Sequence, residues 1–316
     1  MAKIICPKCG KEHEVDENKL KEKFLLKKRF IARCKVCNNR FPVQSEEYET
    51  DTSSPKEGFR YKSKSARKIC ITLSKGGVGK TTTSVNLSAG LALAGHKVLL
   101  IDTDTQGQCA YILGENPKVG LTELLTGELP PEEVVISSRE NLDLVGGGKS
   151  LAGIKRMITR KSFGGEWTLS EAMKDIDHKY DYVIIDTSPG WDQLTVNVLF
   201  YASEVLVPMA LEFMPLHGLA EFIKRLGSIQ QYRKEIALKY ILPTFMDARV
   251  KGPQQIFTRI KKLYPEYICK PIGYSENLSE APSYGKTIFE FAPGCNASID
   301  YRELVRRVAR DNSLLL

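Results

Sequence analysis

No run of uninterrupted apolar residues approaches the roughly 18 that a membrane-crossing helix needs, so nothing in this 316-residue chain is expected to span a bilayer. The first residues, Met-Ala-Lys-Ile-Ile-Cys-Pro, contain neither an apolar leader core nor a small-residue cleavage site, which predicts a cytoplasmic protein. Histidine is scarce. His13, His96, His178 and His217 lie far apart without metal-ligand spacing, and only His13 stands beside a cysteine knuckle. Apolar residues are not short: 42% hydrophobic and 27% charged residues describe an ordinary globular chain able to bury a sizeable core. The length suits one large α/β domain carrying a small appendage. A net charge of +8 points to acidic partners such as nucleic acid or anionic lipid, and its placement says more than its size.

Cysteine is concentrated at the front. Cys6-Pro-Lys-Cys9 and Cys34-Lys-Val-Cys37 form two C-x-x-C knuckles. Such a pair converges tetrahedrally on one ion, and an all-sulfur tetrahedron favours Zn²⁺. His13 could compete as a ligand, but four cysteines already fill the tetrahedron. Disulfides and a rubredoxin-like iron site are the competing readings, and a cytosolic chain keeps its thiols reduced. A head spanning 1–45 has too little apolar area to fold unaided, so metal must supply much of its stability. The Cys-Pro-x-Cys, Arg33-Cys34-x-x-Cys37 and Phe41 pattern resembles the small zinc-ribbon modules that front some bacterial proteins. Residues 1–45 hold twelve Lys/Arg against five Asp/Glu, a basic surface suited to nucleic acid or an acidic protein, or simply solvated. Phe24, Leu25, Leu26 and Phe30 are expected to form the ribbon's small core. Residues 46–66 are polar, lack apolar periodicity and read as a flexible linker ending in a basic stretch.

The decisive run is Ser74-Lys-Gly-Gly-Val-Gly-Lys-Thr-Thr82, set between a β-branched stretch and a helix-like one. A strand feeding a glycine-rich turn that opens a helix is the geometry of a phosphate-binding loop. Gly76, Gly77, Val78, Gly79, Lys80, Thr81 and Thr82 are the expected nucleotide-binding residues. The glycines let backbone N–H groups converge on phosphate oxygens, Lys80 places a charge there, and the Thr81 hydroxyl suits Mg²⁺. The strict G-x-x-x-x-G-K-[ST] pattern fails at Ser74; in exchange a second lysine, Lys75, precedes the glycines. The bland alternative is a capping turn that binds nothing.

Beyond residue 67 strand-like and helix-like segments alternate, the signature of a doubly wound, mainly parallel α/β sheet covered on both faces. Strands are expected at 68–73, 97–102, 142–145, 182–186, 204–207 and 240–245, and helices at 82–94, 169–176, 216–232 and 254–263. Ligands in such sheets bind at the carboxyl ends of strands. Asp102 and Asp186 close two of them; Asp186 is placed to hold Mg²⁺, and Asp102 with Asp104 to order the metal shell and the attacking water.

These stretches together resemble the ParA/Soj branch of the P-loop NTPases, which has a deviant Walker A motif with a signature lysine. The matching segments are Lys75-Gly-Gly-Val-Gly-Lys-Thr-Thr-Thr83, Val85-Asn-Leu, Lys97-Val-Leu-Leu-Ile-Asp-Thr-Asp104, Tyr180-Asp-Tyr-Val-Ile-Ile-Asp186, Met246-Asp-Ala-Arg249 and Leu278-Ser-Glu-Ala-Pro-Ser-Tyr-Gly-Lys286. They run in family order over nearly all of residues 67–310, within an ATPase domain expected to span 67–316. The resemblance implies an ATPase using ATP and Mg²⁺ that forms an ATP-dependent homodimer, with Lys75 reaching the partner's nucleotide. It assigns Lys75, Lys80 and Asp104 to catalysis and Thr81 and Asp186 to Mg²⁺, to which the strand-end reading above adds Asp102. It further implies slow hydrolysis stimulated by an activating or adaptor protein of the ParB kind. Non-specific DNA binding, with the nucleoid as a place of association, and positioning of plasmids, chromosomes or protein cargo complete the expectation.

The chain departs from the family in three places. Thr105 stands for a usual proline after Asp104, and Ser188 for the first of a proline pair after Asp186. Gly273-Tyr-Ser-Glu-Asn277 replaces a segment whose arginines help bind DNA. Arg249 survives at another family DNA position, and the basic head could compensate. Cys70, Cys109, Cys269 and Cys295 show no paired spacing and read as structural thiols. Two rival readings are a MinD-like membrane-associated positioning ATPase and a nucleotide-holding scaffold with little hydrolysis. The stretch 301–310, with Leu304, Val305 and Val308 on one side, suits a packed final helix better than a membrane anchor. No tyrosine cluster closes the chain, which disfavours a protein-tyrosine kinase of related loop chemistry.

Overall fold

The computed structural model describes residues 2–5, 9, 11–15, 29–37, 40–44, 66–211, 215–247 and 249–309. Two units divide the chain, Met1–Arg60 and Tyr61–Leu316. In the first, β1 (Ala2–Ile5) pairs antiparallel with β2 (Glu12–Val15), and β3 (Arg29–Arg33) with β4 (Arg40–Gln44). Cys9 lies between β1 and β2, and Cys34 and Cys37 lie between β3 and β4. Cys6, the apolar residues Phe24, Leu25 and Leu26, the linker up to residue 65 and Leu314-Leu-Leu316 lie outside the described residues.

The second unit is built on β5 (Arg67–Ile71), β6 (Val98–Asp102), β7 (Ile136–Arg139), β8 (Leu142–Val145), β9 (Tyr182–Asp186), β10 (Glu204–Ala210) and β11 (Ala237–Thr244). They form one seven-stranded sheet in the order β11-β10-β5-β9-β6-β8-β7. All neighbours are parallel except the edge pair β7–β8. Alternate residues of each central strand serve opposite faces. Cys70, Leu99, Ile101, Val183 and Ile185 enter one apolar layer, beneath helices Leu151–Arg160, Gln193–Tyr201 and Pro215–Gln230. Ile69, Ile71, Val98, Leu100 and Ile184 enter the other, beneath Lys80–Leu93 and Asn296–Ala309. This is the doubly wound P-loop NTPase architecture.

All six expected strands are present, and β7 is added at the edge. The final helix sinks Tyr301, Leu304, Val305 and Val308 into the second layer, so its apolar side lies inside the fold. Gly90 makes this possible: a Cβ there would collide with Val305 and press on Phe289. Among the described residues no helix is long and apolar enough to cross a membrane.

Candidate functional site

Strand β5 ends at Ile71, and the chain turns through Ser74–Gly79 into the helix Lys80–Leu93. Gly77 and Gly79 hold φ of 69° and 83°, the left-handed region where a side chain would be strained. Val78 plugs the first apolar layer, and its carbonyl accepts the Thr244 hydroxyl at 3.0 Å, which ties the loop to the end of β11. The loop therefore presents its N–H groups at a helix start while anchored from behind.

Lys80 is buried, and its ammonium donates to the Lys75 carbonyl at 2.9 Å. Burial pulls that ammonium below its ordinary value, against the attraction of Asp186 and Asp104. Lys75 itself is exposed. Asp186, at the end of β9, is fully buried and accepts the Thr81 hydroxyl at 2.8 Å and the Ser84 hydroxyl at 2.7 Å. Asp102 stands opposite it in the β6–β9 register and is equally buried. The Asp102 oxygens accept the backbone N–H groups of Asp104 at 2.8 Å and Cys109 at 3.0 Å. Burial drives both carboxyls well above the usual carboxylate range; the charge of Asp186 adds to the rise of Asp102, and that of Asp104 to the rise of Asp186.

The extended arrangement expected for Asp102 and Asp104 gives way to a turn. The strand stops at Asp102, Asp104 accepts the Gln106 N–H at 3.0 Å, and only Asp104 of the two lines the open cleft. That cleft, of about 530 Å³, is bounded by Gly76, Gly77, Lys80, Thr81 and Asp104. Lys155, which the sequence alone did not single out, lines it too while pairing with Asp192. A second cleft of about 320 Å³ shares Gly79, Thr82 and Phe245 with the first, and Tyr111, Tyr274 and Leu278 form its walls. Phe245 is held at φ 55°, unusual for a bulky residue and common at binding sites. An apolar pocket beside a phosphate-sized cradle is what a purine nucleotide requires.

A family profile described as an AAA domain matches residues 66–239. The sporulation initiation inhibitor protein Soj of Bacillus subtilis is 34% identical over 247 residues, covering 76% of this chain and 97% of its own length. The chromosome-partitioning ATPase Soj of Thermus thermophilus is 35% identical, covering 77% of this chain and 95% of its own. The chain belongs to the ParA/Soj family of partition ATPases. Among solved structures, cobyrinic acid a,c-diamide synthase of Mycobacterium smegmatis with a bound ATP analogue and magnesium matches 78% of this chain and 95% of its own, with TM-score 0.67 and 28% identity. Thr81 and Asp186 bring a hydroxyl and a buried carboxylate together at the start of the glycine-loop helix, an oxygen donor set that fits a magnesium ion.

In the first unit, the Cys9 and Cys34 sulfurs are 3.7 Å apart, and those of Cys9, Cys34 and Cys37 lie within 4.8 Å of one another. Zn–S bonds of about 2.3 Å in a tetrahedron place sulfurs roughly 3.8 Å apart, so these three thiols fit zinc. The Cys37 N–H donates to the Cys34 sulfur at 3.4 Å and holds that thiol below its ordinary value. The His13 Nε2 atom lies 3.2 Å from the same sulfur.

Proposed function

We propose that the chain is an ATP-dependent dimerising switch that positions DNA or protein cargo, hydrolysing ATP slowly until a partner protein stimulates it. The observation that carries this is the joining of loop and strand: Thr81 and Ser84 of the glycine-loop helix both bond Asp186. Loop movement on binding phosphate would be felt directly at the end of β9. Lys80 and the loop N–H groups bind the triphosphate, Thr81 and Asp186 hold magnesium, and Asp104 orients the attacking water. Magnesium, when bound, neutralises charge on the phosphates. The pocket walled by Phe245 and Tyr274 takes the base.

Lys75 is exposed at the rim of this loop, where a lysine can serve a neighbouring subunit as an arginine finger does in trans. Lys75→Ala is expected to bind ATP normally and to lose ATP-dependent dimerisation, read by sizing with and without a non-hydrolysable analogue. Dimers formed equally by the variant would overturn the reading.

DNA contacts have shifted along the chain in this proposal. Arg249 is engaged by Asp247 through bonds of 2.8 and 2.9 Å. The adjoining helix Lys251–Leu263 contains no acid and buries only Ile260. Lys251, Arg259, Lys261 and Lys262 are exposed around its outer side, a cationic face suited to phosphates. Replacing these four by glutamine should flatten the log–log salt dependence of DNA binding by about 0.9 per lost phosphate contact; an unchanged slope counts against this face. The thiol cluster of the first unit holds zinc, and that unit recruits cargo or an adaptor. Unaltered positioning after deletion of residues 1–45 would speak against the recruiting role.

A further inference from the structure

Cys109 has no part in the chemistry described above, yet it sits beside both buried carboxylates. It is the second residue of the helix Gln108–Leu113, and its backbone N–H binds Asp102. Its sulfur lies 3.7 Å from the Asp186 Oδ2 atom. One sulfur and one oxygen each from Asp102 and Asp186 fall within 4.8 Å of one another, and all three side chains are fully buried.

A thiol is an odd neighbour for magnesium. Mg²⁺ takes oxygen ligands in an octahedron and keeps several waters, so sulfur adds nothing to its binding. Thiolate selects softer ions such as zinc, and mixed sulfur–oxygen sites at tetrahedral spacing suit them well. With Zn–S about 2.3 Å and Zn–O about 2.0 Å, a tetrahedral ion holds sulfur and oxygen roughly 3.5 Å apart. The observed 3.7 Å needs little adjustment. Two carboxylates and one thiolate also supply enough negative charge for a dication without a further acid.

We propose that Asp102, Cys109 and Asp186 form a second, thiophilic divalent-cation site that overlaps the magnesium position, so that ions of the zinc class compete with magnesium for the ATPase centre. On binding, the Cys109 thiol releases its proton to solvent and the ion takes the thiolate, with no change of oxidation state. The overlap rests on Asp186 being the magnesium ligand; the metal site itself does not.

Cobalt(II) is the probe, because thiolate-to-cobalt absorption reports sulfur ligation directly. The metal-free, nucleotide-free full chain is titrated beside Cys109→Ser and Asp186→Asn. Both variants are expected to lose one molar equivalent of bound cobalt relative to the parent, and the thiolate band belonging to that equivalent disappears in each. Cobalt held by Cys9, Cys34 and Cys37 remains in all three proteins and cancels in the difference. Identical titrations of the parent and Cys109→Ser overturn the site. Binding of a fluorescent ATP analogue without metal checks that the glycine loop of each variant is intact. In the parent, excess magnesium with ATP should remove the Cys109-dependent band, and a band that persists overturns the overlap.

Discussion

The two ends of the parallel sheet each bury a cluster of charge, and they balance it differently. At the amino ends Arg67 faces Glu204 in a two-bond pair of 2.9 and 2.7 Å, with the Tyr182 and Tyr240 hydroxyls at 3.4 and 3.0 Å and the Val308 carbonyl closing the ring. Burial opposes the guanidinium charge, and Glu204 outweighs it, holding Arg67 above its ordinary value. At the carboxyl ends Asp102 and Asp186 face each other, answered among the described residues by hydroxyls, backbone N–H groups, the Cys109 thiol and the charge of a Lys80 ammonium whose hydrogen bond goes to the Lys75 carbonyl. The first cluster is complete and acts as a staple. The second keeps an excess of negative charge behind an open cleft, which is stored affinity for a cation and for the anion that accompanies it.

The comparison predicts opposite signs for removing one acid from each end. Glu204→Ala leaves Arg67 without its counter-ion in a mostly closed site. It should lower unfolding stability by about 3 kcal/mol, the lower part of the range for a broken buried pair, because Arg67 keeps 24% side-chain exposure. Asp186→Asn removes like-charge repulsion and should stabilise the nucleotide-free chain while abolishing magnesium-dependent turnover. The gain depends on pH. Burial pushes the Asp186 carboxyl up to about 6 and that of Asp102 to about 7, above the unfolded value of about 3.8. The folded chain therefore holds these protons more tightly than the unfolded one, and stability falls as pH rises from about 4 through about 7. At pH 8 the Asp186→Asn gain should be on the order of 2–3 kcal/mol, shrinking toward pH 5. Urea unfolding of both variants at the two pH values checks this; a destabilised Asp186→Asn at pH 8 would break the contrast.

Much of this architecture is legible in the residues. The central strands announce themselves as β-branched runs, and the loop, Asp104 and Asp186 stand at their carboxyl ends, where a parallel sheet gathers its chemistry. Strand β7 is missed because Ile136-Ser-Ser-Arg139 is short, polar and at an edge. Helix Leu151–Arg160 carried a usable signal in Leu151, Ile154 and Ile158, and Asp192 caps Gln193–Tyr201 through the Leu194 and Thr195 N–H groups. The wall of the second cleft had none. Phe245, Tyr274 and Tyr111 come from separate segments that only the folded chain brings together. Asp102 misleads for a local reason: the periodicity of an extended chain ends with the strand, and the turn that follows sends Asp104 outward alone.

Single hydrogen bonds give the smallest and sharpest test of the contrast. Ser84→Ala removes a donor at 2.7 Å from a carboxylate that is ionised at pH 8, a loss of about 1.5–3 kcal/mol for a bond to a charged group. At pH 5 the carboxyl is largely protonated, and the same substitution should cost no more than about 1 kcal/mol, as for a neutral bond. Tyr240→Phe removes the hydroxyl that receives the Arg67 guanidinium at 3.0 Å. Glu204 still pairs that guanidinium, which keeps its charge throughout, so the cost should be about 1.5 kcal/mol, the low end for a bond to a charged group, and flat between pH 5 and 8. Parallel pH-dependence for the two variants would mean that the carboxyl ends are balanced as well as the amino ends, and their affinity for a cation would have no electrostatic basis.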